Sequence, residues 1–250
     1  MMEMSSKAKC MMTAIAGLAI LPGFGAPPEW VEGTTHAMER ITISSPVEEI
    51  VGEVMVKEGD VVEKGAVLAQ LLSNQEVLEA KRLDQLVAKA QFSYDATLSL
   101  FEKKIESKET LLEKKAELDS LKIEREIAQA KVDERRILAP ISGTVVYRLK
   151  DPGESIGRVE PIFEMIDVSR LKLMFFLSSE YLNVLQDGME CEVEFPEAAD
   201  RTGLVAKLTF VDPQVDARSG LFRVRFQLDN SEAKIKPGIR VRLKLPKAGE

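Results

Sequence analysis

One half-motif is written twice in this chain, 94 residues apart. Pro46, Val47, Val51, Gly59, Asp60, Val62, Leu68 and Leu72 recur as Pro140, Ile141, Val145, Gly153, Glu154, Ile156, Ile162 and Ile166. A single fixed offset over that length means two copies of one supersecondary unit. Each copy reads as strand, Gly-acid turn, strand, with Gly59 and Gly153 supplying the positive φ that other residues resist. Gly65 is a further turn position in the first copy. Neither copy can bury its apolar face alone, so the two are expected to close on each other as a small flattened barrel. The residues between them must leave that barrel and return.

Residues 73–136 carry helical signals and contain no Gly and no Pro. Ser73 with Glu76 three residues on predicts a capping box, which would satisfy two orphan amide donors. Apolar residues recur at Leu83, Val87, Ala90, Tyr94, Thr97 and Phe101, then at Leu111, Leu118, Leu121, Ala128 and Val132. Lys114 and Arg125 interrupt the second run. Spacings that alternate between four and three are a heptad pattern, so the two segments are expected to pack as an antiparallel coiled coil. Each arm of roughly 30 residues would reach about 45 Å. Periodicity alone also allows one unbroken helix. The repeat decides against it, because that helix would hold the half-motifs ~90 Å apart. A reversal near Glu106–Ser107 brings them together, with Ser107 as N-cap and Glu109 facing the positive end of the helix dipole.

From Arg170 to Pro246 the pattern changes to strands. Leu171, Leu173, Phe175 and Leu177 alternate with Lys172, Met174 and Phe176, and the runs 222–228 and 239–245 alternate apolar residues with Arg and Lys. Asp229-Asn230-Ser231 and Lys236-Pro237-Gly238 supply turns. Ser178 or Ser179 can cap a short helix through Leu185. The basic faces are expected to meet solvent.

A net charge of −7 argues against nucleic acid and against a basic membrane-surface role. Lys7 and Lys9 precede the apolar run Met11–Leu21 and then small residues, which is signal-peptide grammar. The run is too short for a bilayer core that needs about 20 residues. Gly23 and Gly25 suit a cut ahead of Ala26, and an uncleaved anchor is the alternative. Cys10 lies before the run, and the remaining chain has only Cys191, so there is no disulfide framework.

Two related β half-motifs flanking a helical hairpin, followed by a β-barrel segment, resemble the periplasmic adaptor subunits (membrane fusion proteins) of tripartite efflux pumps. The resemblance covers about 41–246. It implies a mixed α and β, elongated multidomain chain: a signal peptide or N-terminal anchor at 1–25, lipoyl-type half 1 at 41–72 and a coiled-coil helical hairpin at 73–136. Lipoyl-type half 2 would follow at 137–169 and a small antiparallel β-barrel at 170–246. Family members carry an Arg, a Leu four residues on and a Ser seven further on at the hairpin tip, where they meet the outer-membrane channel. Leu100 and Ser107 keep the Leu–Ser spacing, whereas Ala96 stands where the Arg would be. The implied docking patch is Leu100, Lys104, Ile105, Ser107 and Lys108, and the structural turns are Gly59, Gly65, Gly153 and Gly238. The implied partners are an inner-membrane transporter, proton-driven (RND) or ATP-driven (ABC), and an outer-membrane channel, with several copies of the adaptor around an axis. An adaptor of a type I secretion exporter is the alternative. Many family members add a membrane-proximal domain, which is expected to be missing or vestigial here.

Several residues also have plain readings. Ser107 can be a helix cap as well as a contact, and Leu100 can pack inside the hairpin or face a partner. Trp30 can touch a membrane interface or cover an apolar edge. His36 is the only histidine and lies outside any motif, and Met38, Met55, Met165, Met174 and Met189 form no cluster of soft-metal ligands. No cofactor is expected. Catalysis finds no Ser/His/acid set and no phosphate-cradling glycine loop. A swinging-arm carrier would present a lysine on a short turn joining the halves, but helix fills that place. A structural coiled-coil scaffold is the remaining rival.

Overall fold

The computed structural model describes residues 30–197 and 203–245. The leader, Cys10 and the expected cut ahead of Ala26 lie outside the described residues.

The 94-residue offset carries through into the hydrogen bonds. Strands β2 (Glu49–Val54), β3 (Val61–Val62) and β4 (Val67–Leu71) have counterparts in β6 (Gly143–Arg148), β7 (Ser155–Ile156) and the start of β8 (Pro161–Ser178). The end of β1 (Trp30–Ser44) likewise corresponds to β5 (Arg136–Leu138). β2 pairs with β7 through Glu49–Ile156 and Ile50–Ser155, and β3 pairs with β6 through Val62–Gly143 and Val61–Thr144. Each copy therefore lends its short strand to the other copy's sheet. Gly59 N–H donates to the Val145 carbonyl at 2.8 Å and Gly153 N–H to the Val51 carbonyl at 2.7 Å. The sheets β5-β4-β2-β7 and β1-β8-β6-β3 face each other across Val51, Leu68, Leu71, Val145, Ile156, Ile162 and Met165. Closure of the two copies on each other is thus a sandwich of two four-stranded sheets related by a pseudo-twofold.

β8 and β1 run on into a second body. With β9 (Glu190–Glu194), β10 (Leu204–Val211), β11 (Leu221–Asp229) and β12 (Arg240–Lys244) they make the ring β1-β12-β9-β10-β11-β8, which the β1–β8 ladder closes. Alternation puts Leu171, Leu173, Phe175 and Leu177 of β8 inside, with Phe222, Val224, Phe226 and Leu228 of β11 beside them. Phe175 and Phe226 meet edge to face with centroids 5.8 Å apart. Each such side chain contributes roughly 1.5–3 kcal/mol by leaving water. β1 lies so close over this core that a Cβ on Gly33 would sit 2.4 Å from the Met174 carbonyl oxygen.

Two expectations change here. The start at 41 and the division at 169/170 both fall within strands, because β1 begins at Trp30 and β8 is unbroken. Trp30 is therefore a barrel residue opposite Lys244, whose ammonium lies 5.6 Å from the ring centroid. The short helix shrinks to a single 3-10 turn, Ser179–Tyr181, with no side-chain cap.

Between the halves stand α1 (Asn74–Glu102) and α2 (Lys108–Asp133). They run in opposite directions, since Arg125 Nε donates to Asp84 Oδ1 at 2.8 Å and Ala80 and Leu83 cluster with Ala128 and Val132. The capping box does not form, although Ser73 is the N-cap residue. The Arg135 guanidinium takes Glu76, and the Ser73 hydroxyl instead lies 3.4 Å from the Gln70 amide.

Candidate functional site

The reversal occupies residues 103–107, and no glycine is used. Lys104 takes a left-handed φ of 59°, with its N–H donating to the Phe101 carbonyl at 2.8 Å. Ile105 N–H donates to the Leu100 carbonyl at 2.9 Å. Those two bonds are the Schellman pair, which satisfies orphan carbonyls of the last turn and brings Ile105 over Leu100. The next helix starts at once, because Ser107 Oγ accepts from Thr110 N–H at 3.1 Å and caps α2. Lysine at a position that favours glycine is tolerated at a modest cost in backbone strain.

This geometry fixes what the tip presents. Ile105 is 68% exposed and Leu100 36%, and both lie off the seam that Thr97 and Phe101 occupy. Lys104, Ser107 and Lys108 are exposed around them. The structure thus brings all five expected residues within nine positions of chain at one end of the helix pair. Ala96 sits nearby on α1, also exposed. Such a patch can offer two aliphatic side chains, two ammonium groups and one hydroxyl to a partner. Gly59, Gly65, Gly153 and Gly238 lie elsewhere, at φ values from +88° to +94°.

Sequence reasoning missed two features of the surface. Arg223 and Arg225 do not simply meet solvent: both guanidiniums lie over the Phe210 ring, at 5.6 and 5.1 Å, and Arg223 also pairs with Asp212 at 3.0 Å. Alternation marks these arginines as outward but cannot show that Phe210 faces outward beside them. The second feature is an apolar stripe on the back of each helix, opposite the α1–α2 contact. Leu78 and Phe92 form it on α1, with Phe92 76% exposed. Leu112, Ile123 and Ile127 form it on α2. The 11- and 4-residue spacings of Leu112, Ile123 and Ile127 hold this signal, which the stronger inner seam masks.

Away from the tip, hydrogen bonding from Gly157 N–H and then Lys150 holds the Glu160 carboxyl below its ordinary value, and burial raises the Cys191 thiol. Among the described residues no group of three or more His, Cys, Asp or Glu side chains is placed to hold a metal ion.

Residues 39–167, the sandwich with its helical insert, match the CzcB-like barrel-sandwich hybrid domain, and residues 178–249 match the CusB-like β-barrel domain. The chain belongs to the membrane fusion protein (periplasmic adaptor) family. An uncharacterized protein of Haemophilus influenzae is 24% identical over 228 residues, which cover 88% of this chain. The chain spans 59% of the length of that relative. Among solved structures, a MacA–MexA chimera carrying the Pseudomonas aeruginosa MexA α-hairpin domain is similar with a TM-score of 0.73 and 18% identity. The match covers 87% of this chain and 78% of that one. The membrane fusion protein Spr0693 of Streptococcus pneumoniae follows at 0.66 and 17%, over 87% of this chain and 98% of that one. At these identities the structural likeness carries the fold alone.

Proposed function

We propose that this membrane fusion protein is the periplasmic adaptor of a tripartite efflux pump, linking an inner-membrane transporter of the RND or ABC type to an outer-membrane channel. In this reading α1 and α2 are a coiled-coil hairpin, about 40 Å long at 1.5 Å per residue, and its tip docks on helical ends of the channel. The observation that carries the reading is the tip itself. Ile105 and Leu100 are held in the open by a Schellman turn, outside every buried cluster of the fold. The sandwich and barrel form the base against the transporter. The adaptor works in the periplasm at the inner membrane. No helix among the described residues is long and apolar enough to cross a membrane, so attachment is assigned to the N-terminal segment and the transporter. Its role is mechanical: it transmits conformational change and performs no reaction.

Several copies around an axis fit the two back stripes. Hairpins pointing the same way would set α1 of one copy against α2 of the next. The levels match as well, since residues of α1 and α2 that face each other sum to about 209, as Asp84 and Arg125 do. Phe92 would then meet a neighbour between Leu112 and Ile123, and Leu78 would lie about one helical turn closer to the sandwich than Ile127.

The test substitutes Leu100→Asp and Ser107→Asp and measures efflux at equal expression. Aspartate caps a helix as well as serine does, so Ser107→Asp changes the surface and leaves α2 capped. Efflux should fall by at least tenfold in Leu100→Asp and measurably in Ser107→Asp. Unchanged efflux in both removes the tip from the interface.

A further inference from the structure

The helix pair is joined to the sandwich by two joints of two residues each. Leu72 and Ser73 separate β4 from α1, and Glu134 and Arg135 separate α2 from β5. The joints lie side by side, because the Arg135 carbonyl accepts from Leu71 N–H at 2.8 Å and from the Gln70 side-chain amide at 3.2 Å. Two short parallel joints define a hinge with one axis.

One side chain spans that axis. The Arg135 guanidinium is only 13% exposed. On the helix side, its Nη2 lies 2.6 Å from Glu76 Oε1 in the first turn of α1, and its Nη1 donates to the Lys131 carbonyl in the last turn of α2 at 2.7 Å. It thereby holds both helices at their base. On the sandwich side, its Nε points toward Glu49 Oε2 at the start of β2, but at 3.7 Å it makes no hydrogen bond. A buried guanidinium N–H without a partner is costly, and a carboxylate in range recovers that cost if it moves about half an ångström to one ångström closer. A hollow of about 160 Å³ lies between the helix bases, lined by Gln75, Glu76, Glu79, Ala128 and Lys131, all of them residues of α1 or α2.

We propose that Arg135 and Glu49 form a latch across this hinge, which sets the angle at which α1 and α2 leave the sandwich. The Arg135 guanidinium moves with the helix pair, whereas its backbone stays bonded to β4 and Glu49 belongs to the sheet. Tilting toward β2 closes the N–H to carboxylate contact, and tilting away opens it. The other contacts of Arg135 persist in both positions. Because the helices are long, a few degrees at the hinge moves the tip by several ångströms. Arg135 is thus a positioning residue for Leu100 and Ile105, far from either.

The test uses the full chain with Cys10→Ser and Cys191→Ser and spin labels at Ser99→Cys on α1 and Glu190→Cys on β9, both exposed positions. Double electron–electron resonance then reads the spread of distances between helix pair and barrel. Glu49→Ala removes the sandwich half of the latch, and Arg135→Lys keeps the charge but loses the planar fork. Both should widen the distribution about twofold at unchanged circular dichroism. Glu79→Ala, which lines the hollow but does not touch Arg135, should leave it unchanged. The proposal is overturned if Glu49→Ala and Arg135→Lys keep the parent width, or if Glu79→Ala widens it equally. The measurement needs no channel, so its failure would leave the docking reading intact, and loss of the docking reading would leave the latch standing.

Discussion

In the sandwich and barrel, Leu, Val and Phe from alternate strand positions are sealed from water, whereas along α1 and α2 only Ala80, Leu83, Ala90, Leu118, Ala128 and Val132 are buried. The difference is one of geometry. A closed ring and a two-layer sandwich surround their side chains on all sides, but a pair of helices encloses only the single stripe between them. Three of those six residues are alanine, so the helices approach closely and bury little. The base is therefore where folding free energy resides. The helix pair rides on it and spends its larger apolar side chains on the outside, at Leu78, Phe92, Leu112, Ile123 and Ile127, and at the tip.

The sharpest break between the two regions should come from matched truncations. Phe226→Ala in the barrel core should cost about 3–5 kcal/mol. Ile105→Ala at the tip should change stability by no more than about 0.5 kcal/mol. Urea unfolding of both variants checks the contrast, and a tip variant that destabilises like a core variant would erase it.

Ser107 divides the comparison more finely, because a tip residue here does one structural task. Ser107→Ala should lose the bond from Thr110 N–H and cost about 1 kcal/mol. Ser107→Asp should cost almost nothing. Amide hydrogen exchange at residues 108–112 should rise in the first variant and stay put in the second.

Within the base, the repeat contains its own comparison. Gly65 and Val159 hold corresponding positions, Gly65 N–H donating to the Ala139 carbonyl and Val159 N–H to that of Ser45, both at 2.8 Å. Both have positive φ, +88° and +66°, but the second is a β-branched residue, 73% exposed. Val159→Gly should relieve that strain and gain about 1 kcal/mol, read as a rise in thermal midpoint. Glycine at both positions would restore the symmetry of the turns.

The smallest effect is expected at Glu160, which accepts from Gly157 N–H at 2.7 Å and pairs with Lys150. Its carboxyl is held below the ordinary value, so its stabilising contribution is complete above that value. The contribution is lost as pH falls through the depressed one. The difference in thermal midpoint between the parent and Glu160→Gln should be constant near neutral pH and vanish in acid.

Much of the base is legible in the sequence, because a repeat with one offset states its own symmetry. Pairings such as Val51–Leu71 and Val145–Met165 follow from each other. The tip is legible too, in the Ser107 cap and the need to turn back. What is not legible depends on partners brought from afar. Trp30–Arg40 has no repeat to mark it and becomes strand only because β8 and β12 offer edges. The Ser73–Glu76 pair reads as a local cap until Arg135, 59 residues later, arrives to take the carboxylate. The outward Phe210 beneath two arginines is likewise a product of sheet register rather than of pattern.

Docking through the helical tip can be read directly in cells. A photo-crosslinking amino acid placed at Ile105, with a second strain carrying it at Thr209 on the barrel exterior, would be irradiated during active efflux. The account requires an adduct between position 105 and an outer-membrane channel protein, absent from position 209. No channel adduct from position 105, or an equal yield from both positions, would contradict it.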